Sequence, residues 1–526
     1  MFCSKCGATL PDGAKFCNIC GATMDNQTTK GKSKGKGIAI GAAVLAVVLV
    51  AAFVVTNLLS GGFGPKGNVV RAASKSITAY AKMMDNFGVS TLQNLAKKQA
   101  YTQTIEFEVE KNPADSVLNG LGMSIVSAMD LPGQRASMSG QVKWGSVDLF
   151  SLYLDMDKGK VSVFSPEVLK DTALAINTET LGKDLSKADW IEDYTYEDMS
   201  AYEDLSFNIF ELASLMTKEG VIDPSVFTDL LKEIEVEKDG TDKVKVNGEK
   251  IKCTVYDVEI PADALADFAA AIVEAMYDSE STEAIFKILS TIPGYDYDIE
   301  DDMKESISDA VAEITDAIEL LGDLEFEVAV SRGYIVMIST KIEVYYSSAD
   351  ISLQLGGGKN YVDDLSLTIS PEYGDALTIK SSGNHTMKGG EFTDKTVISY
   401  DGESITFKTK YDSKAKKDNF SFVMDATEVS NMKFEIEGNL TIGSNSVSMT
   451  FDEISLSSYG ETLALSGQYI LEPVKQVKMP AKQTLTILTM DEDELLDLVW
   501  DIQDNIEDWS EKIEDLDIIY ALEWLL

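Results

Sequence analysis

Residues 326–346 read FEVAVSRGYIVMISTKIEVYY, and this stretch decides the fold of the largest part of the chain. Apolar and polar side chains alternate on both sides of Ser331-Arg332-Gly333. A period of two predicts strands with one buried and one solvent-exposed face, and the glycine-containing break predicts a hairpin turn. Because the pattern repeats from Leu324 to Leu471, residues 323–488 are predicted to form a long antiparallel meander, as a curved sheet, half-barrel or sandwich.

Residues 60–322 carry both helical and strand patterns, which predicts a helix-rich α+β region before the meander. Apolar residues spaced by three or four predict a helix over 67–98, and Asn247-Gly248 between two alternating segments predicts a hairpin. Alternation also predicts one strand over Val142–Leu154. Two further helices are predicted at Ala262–Leu289 and Asp302–Leu321.

Residues 489–526 predict a C-terminal helix. Thr489 and Glu492 have the spacing of a capping box. An apolar stripe follows at four-three spacing, through Leu495, Val499, Ile502, Ile506, Trp509, Ile513, Leu516 and Tyr520. The stripe would suit either packing across the sheet or the seam of a coiled-coil dimer. Packing is favoured, because the other face is so acidic that two such helices would repel each other.

Residues 38–59 form an uncharged apolar stretch that predicts a membrane-spanning helix. At about 1.5 Å per residue it is about 33 Å long, which is enough for a hydrocarbon core of roughly 30 Å. A cleaved signal peptide is disfavoured by the long polar region that precedes it, and a buried soluble helix by apolar residues on every face. The linker 24–37 carries Lys30, Lys32, Lys34 and Lys36, so the amino terminus is expected in the cytoplasm and the bulk outside the cell membrane.

Residues 1–23 hold two Cys-x-x-Cys pairs, each followed by glycine: Cys3 and Cys6, then Cys17 and Cys20. This spacing lets two sulfurs on a tight turn reach one ion at about 2.3 Å. A thioredoxin-like redox pair is the competing interpretation, but it needs a surrounding α/β domain that a short tail cannot supply. Four thiolates leave no open coordination position, so one structural zinc per chain is predicted rather than a catalytic one.

Charge and cysteine content restrict the partners of the outer part. The chain has a net charge of −42, and residues 60–526 hold 39 basic against 85 acidic residues. A field of this sign repels phosphate backbones, which excludes nucleic acid as a partner and favours cations or a basic partner. Cys253 is the only cysteine after Cys20, so no disulfide can form within this part. Its strand position predicts a small buried hydrophobe.

No catalytic motif stands out in the sequence, and no enzyme is predicted. His385 is the single histidine of the chain and lies beside glycine in SSGNHT, which predicts an exposed loop residue without a catalytic role. The acidic segment 296–302, with Asp296, Asp298 and Glu300 to Asp302, could bind calcium. It lacks the glycine that calcium loops need at the bend, so a solvated loop capping the next helix is favoured.

Residues 2–21, FCSKCGATLPDGAKFCNICG, closely resemble the short zinc-ribbon family at the start of many bacterial membrane proteins. That resemblance implies tetrahedral zinc held by the four cysteines. The topology resembles Gram-positive single-pass proteins such as the teicoplanin-resistance-associated membrane protein family, and the outer pattern is loosely similar to LolA-like carriers.

Three functions are compatible with these patterns. The preferred one is a non-enzymatic envelope protein with an outer binding or scaffold domain and protein partners on both sides of the membrane. The alternatives are a carrier or sensor of a lipid or other apolar ligand, and a carboxylate-based enzyme of the cell wall.

Overall fold

A computed structural model describes residues 64–113, 118–188, 190–191, 202–216, 224–277, 279–289, 299–344, 347–356 and 360–514. The predicted zinc ribbon, basic linker and spanning segment lie outside these ranges. Among the described helices, none combines the length and apolar character needed to cross a membrane.

Twenty strands build the described part of the chain. They are β1 Ala100–Lys111, β2 Leu121–Asp130, β3 Arg135–Trp144, β4 Val147–Asp157, β5 Lys160–Phe164, β6 Thr172–Asn177, β7 Glu235–Val246, β8 Glu249–Ile260, β9 Leu324–Ser331, β10 Tyr334–Val344, β11 Ser347–Leu355, β12 Asp364–Pro371, β13 Leu377–Asn384, β14 Glu391–Tyr400, β15 Glu403–Asp412, β16 Phe420–Ala426, β17 Met432–Ile442, β18 Val447–Ser458, β19 Glu461–Pro473 and β20 Gln483–Thr486.

All twenty strands belong to one sheet. From β7 to β19 each strand pairs antiparallel with the next along the chain. Strand β19 then pairs antiparallel with β1, and β1 to β6 continue the sheet. Strand β20 lies parallel to β6 at one edge. The outer strands β7 and β20 do not pair with each other within the described ranges, so the structure confirms a curved, unclosed sheet with helices.

Two-residue turns set the register of the hairpins. Asn247 and Gly248 have positive φ of 46° and 91°, as a type I′ turn requires, and join β7 to β8 as predicted. Arg332 and Gly333 do the same between β9 and β10. The prediction of one strand over Val142–Leu154 was wrong, because Gly145 with φ of 57° turns the chain between β3 and β4.

The helices lie between the strands in sequence. They are α1 Pro65–Asp85, α2 Val89–Lys98, α3 Pro166–Leu169, α4 Leu181–Leu185, α5 Ile209–Met216, α6 Pro224–Glu233, α7 Ala262–Tyr277, α8 Glu280–Leu289, α9 Ile299–Leu321, α10 Thr427–Ser430 and α11 Glu492–Glu514.

Three helix predictions need correction: two of the predicted helices are each divided into two, and one begins earlier than predicted. The helix predicted over 67–98 is two helices, because Gly88 takes a φ of 77° between α1 and α2. The helix predicted over Ala262–Leu289 is also two, since the hydroxyl of Ser279 accepts a hydrogen bond from the Thr282 amide at 3.3 Å and starts α8. Helix α9 begins at Ile299 rather than at Asp302.

The C-terminal helix begins two residues later than predicted. The Glu494 amide donates to the Asp491 carboxylate at 2.8 Å, and the Asp491 amide donates back to Glu494 at 3.2 Å. This reciprocal pair is the capping box, so Thr489 and Glu492 do not form it.

The same helix packs with a rotated face. Trp509 lies edge-on against Phe150 with ring centroids 6.1 Å apart, and its indole nitrogen donates to the Leu149 carbonyl at 2.6 Å. Val499 and Ile506, assigned to the packing stripe, are 49% and 43% exposed. The helix contacts β4 and α3, which precede the predicted meander, and its buried face differs from the predicted stripe.

Candidate functional site

An open groove lies between the second half of α1 and the sheet. Its volume is about 990 Å³, within the size range of small-molecule sites. The walls come from α1, the start of β8, the turn from β9 to β10, and the segments that follow β11 and β13. These segments are far apart in sequence, so only the folded sheet brings them together.

Helix α1, which forms one wall of the groove, is packed tightly against the sheet. Ala72 is 1% exposed and packs in a cluster with Val328, Ile335 and Leu355. The buried Ser76 hydroxyl accepts a hydrogen bond from the Ile335 amide at 3.0 Å and donates to the Ala72 carbonyl at 2.8 Å. A buried polar group with both roles satisfied fixes one packing position, so this wall is rigid.

Two stacked tyrosines line the groove. The rings of Tyr334 and Tyr361 stack with centroids 4.3 Å apart, and the Tyr361 hydroxyl donates to the Ile335 carbonyl at 2.6 Å. The ammonium of Lys75 lies 3.9 Å from the centre of the Tyr334 ring and donates to the Arg332 carbonyl at 2.9 Å. A ring and a cation this close cannot share one face, so both faces of Tyr334 are covered.

His385 lies at the groove floor and is 4% exposed. Its Nδ1 lies 2.6 Å from the Val362 carbonyl and its Nε2 lies 2.8 Å from the Asp394 carboxylate. Both partners are acceptors, so both ring nitrogens must donate, and the ring is a buried imidazolium. The prediction that His385 is an exposed loop residue was therefore wrong.

The pKa values of the pair agree with this geometry. Burial alone would lower the pKa of His385, but hydrogen bonds to Asp394 and to the Val362 carbonyl outweigh it and raise the pKa. Burial would raise the pKa of Asp394, but hydrogen bonds from His385, Ser381 and Thr396 lower it. His385 and Asp394 thus form a buried ion pair that positions the loop after β13.

Basic side chains dominate the charge of the groove lining. Besides His385, the charged side chains that line it are Glu249, Lys82, Lys250, Lys252 and Arg332. None of the last four forms an ion pair within the part of the chain that the structure describes. Sequence reasoning missed all four, because no motif links them and three different elements supply them.

Other predicted residues do not join this site. Cys253 is 2% exposed among Val246, Ala329 and Val336, and burial raises the pKa of its thiol, which confirms a small buried hydrophobe. Glu300 to Asp302 lie in the first turn of α9, whereas Asp296 and Asp298 lie outside the described residues. Within the described ranges, no group of three or more His, Cys, Asp or Glu residues could hold a metal ion.

The four predicted zinc ligands, Cys3, Cys6, Cys17 and Cys20, lie outside the described residues. The comparison with protein families gives one clear result for this segment, since residues 2–24 match a zinc-ribbon domain. Two Cys-x-x-Cys pairs supply the soft, tetrahedral donor set that zinc requires. The amino-terminal segment is therefore a zinc-ribbon domain.

No curated protein and no solved structure matches the chain. The resemblances to the teicoplanin-resistance-associated family and to LolA-like carriers therefore receive no support from these comparisons.

Proposed function

We propose that this chain is a non-enzymatic, membrane-anchored binding protein of the cell envelope. In this proposal residues 38–59 span the membrane, the zinc ribbon lies in the cytoplasm, and the sheet domain lies outside. The single observation that carries the binding role is the open groove, whose rigid walls present charged side chains without ion-pair partners within the described ranges. Charged groups left unpaired at a concave surface are available to a ligand.

The zinc ribbon supplies a second binding surface in this proposal. A closed four-cysteine site folds a short segment without taking part in a reaction. We propose that it holds one structural zinc and recruits a cytoplasmic protein. The four lysines of the linker 24–37 would hold the ribbon on the cytoplasmic side.

A carrier of an apolar ligand is the second candidate. Ile251, Val336 and Met83 contribute apolar surface to the groove. An apolar ligand would, however, leave Lys250 and Lys252 beside it without compensation, which is costly. This candidate can be tested by mass spectrometry of lipids that co-purify with the chain. Recovery of one lipid at about one molecule per chain would support it.

The orientation can be tested by cysteine labelling in intact cells. Tyr373 is 75% exposed, so Tyr373→Cys offers an accessible thiol in the sheet domain. An impermeant maleimide should label this variant in intact cells. The native chain is the matched control, because Cys253 is buried and the ribbon cysteines would be cytoplasmic. Labelling that appears only after lysis would reverse the proposed orientation.

The metal can be tested on the purified full chain. Elemental analysis should give about one zinc per chain, and Cys17→Ser should remove it. Ser4→Ala, which alters no predicted ligand, is the control and should retain the metal. A metal-free native chain would refute the zinc proposal.

A further inference from the structure

The groove differs in charge from the rest of the molecule. The chain has 87 acidic and 45 basic residues, yet the exposed charged side chains at the groove are four basic and one acidic. Lys82 comes from the last turn of α1, Lys250 and Lys252 from β8, and Arg332 from the hairpin tip before β10. Three unrelated elements thus place cations around one recess.

Acidic side chains beside the groove offset this local charge only in part. Asp364, next to Asp363, lies close enough to Glu249 and His385 to interact with both electrostatically. Asp394 is bound to His385, and Asp363 accepts hydrogen bonds from the His385 amide at 3.2 Å and from the Asn360 side chain at 2.6 Å. Glu249 is the one acidic side chain in the lining. The four basic side chains outnumber these acids, and they form no ion pair within the described ranges.

We propose that this groove binds a compact phosphate-type oxyanion, of the kind carried by a free diphosphate or by an anionic phospholipid headgroup. The proposal rests on the binding role proposed above and names its ligand class. Lysine ammonium groups and an arginine guanidinium are the side chains that recognise phosphate oxygens.

The surrounding charge limits the size of the ligand. An extended polyanion would leave the groove and cross a surface whose overall charge is strongly negative, where it is repelled. A compact anion keeps its charge among Lys82, Lys250 and Arg332. Both faces of Tyr334 are covered, so this ring offers no surface on which a nucleobase could stack. The groove is therefore suited to the anionic group itself.

Binding can be measured by titration calorimetry on the purified full chain. Inorganic pyrophosphate is the first probe, and vesicles of phosphatidylglycerol or of phosphatidylcholine are the second and third. We expect saturable binding of pyrophosphate, of phosphatidylglycerol vesicles, or of both, and none of phosphatidylcholine. Pyrophosphate alone would identify a free anion, and phosphatidylglycerol alone a lipid headgroup.

Charge reversal locates the site. Lys250→Glu with Lys252→Glu should weaken binding about tenfold or more, because two attractive interactions become repulsive. Lys416→Glu with Lys417→Glu is the matched control: it changes the net charge equally at exposed positions outside the groove lining. Added salt should weaken binding by the native chain.

Two results would overturn the proposal. One is the absence of saturable binding of every anionic probe to the native chain; the other is an equal loss of binding in both double variants. Circular dichroism of each variant checks that the chain is folded, and Arg332→Gln provides an independent change at a turn. Orientation is measured separately by labelling Tyr373→Cys, so a failure of the ligand proposal and a failure of the membrane proposal give different results.

Discussion

The buried pair of His385 and Asp394 predicts how stability depends on pH. The imidazolium donates from both nitrogens, so loss of its proton leaves one nitrogen lone pair facing an acceptor oxygen. The folded pKa of His385 is raised above the ordinary value of 6.5. The stabilisation is therefore complete below pH 6.5 and is lost as the pH rises through the folded pKa.

The magnitude follows from proton linkage. Between the unfolded and the folded pKa, the folded state holds one proton more than the unfolded state. The free energy of unfolding should therefore fall by about 1.4 kcal/mol for each pH unit in that interval. Asp394 acts in the opposite direction: its lowered pKa gives stability that is present above its ordinary value of 3.8 and is lost as the pH falls through the folded value.

Removal of one partner of the His385–Asp394 pair should strongly destabilise the folded chain. Loss of one member of a buried ion pair costs about 3–5 kcal/mol. We therefore expect His385→Gln to lower the unfolding free energy by about this amount at pH 5.5, and by less at higher pH. Asp394→Asn removes the other partner and should be similarly costly at neutral pH. Asp418→Asn, the same change at an exposed position, is its control and should have little effect.

Urea unfolding of the full chain, followed by circular dichroism between pH 5 and 9, measures the difference between native and variant proteins. Because the chain has a single histidine, its ring also gives one unambiguous titration by NMR. A difference in unfolding free energy that does not change with pH, or a ring that titrates at or below 6.5, would refute the assignment of a buried imidazolium.

Three further predictions concern packing, capping and reactivity. A Cβ atom at Gly467 would lie 2.0 Å from a backbone oxygen of β1. Gly467→Ala should therefore lower the melting temperature, at a cost of about 1–3 kcal/mol in unfolding free energy. Gly140→Ala is the control and should not, because a Cβ atom there meets open space. Asp491→Ala should cost about 1 kcal/mol in urea unfolding, and Glu494→Ala less, because the carboxylate of Asp491 caps α11. The thiol of Cys253 should resist iodoacetamide until denaturant is added, because burial raises its pKa; rapid labelling of the native chain, read by mass spectrometry, would contradict this.

Local patterns predicted the local structure well. The hairpin at Asn247-Gly248 and the strands on both sides of Arg332-Gly333 were predictable, because turn chemistry and alternation act over a few residues. Pairings between distant segments were not. Strand β1 pairs with β19, for example Phe107 with Gly467. Neither segment contains a sequence pattern that identifies its partner strand. The parallel pairing of β20 with β6 is equally long-range.

The misassigned details share one physical cause. The capping box at Asp491 and the predicted one at Thr489 have similar residue patterns. Thr489, however, ends a 3-10 turn that begins at Ile487, and its hydroxyl donates to the Thr486 carbonyl at 3.0 Å instead of capping α11. His385 sits in a segment with the composition of an exposed turn, yet the partners that bury it come from β14 and from the segment before β12. A short stretch of sequence gives no information on contacts with residues of a distant strand.

The net charge favours cations or a basic partner, whereas the proposed groove ligand is an anion, and the two inferences refer to different distances from the molecule. A charge of −42 describes the field far from the molecule, where individual side chains are averaged. At close range the field is set by the few groups within about one Debye length of roughly 10 Å. Lys82 and Lys250 are far apart in sequence but line the same recess. A cationic groove inside an anionic surface would admit a compact anion and reject a long one, which is a selectivity that neither charge alone would produce.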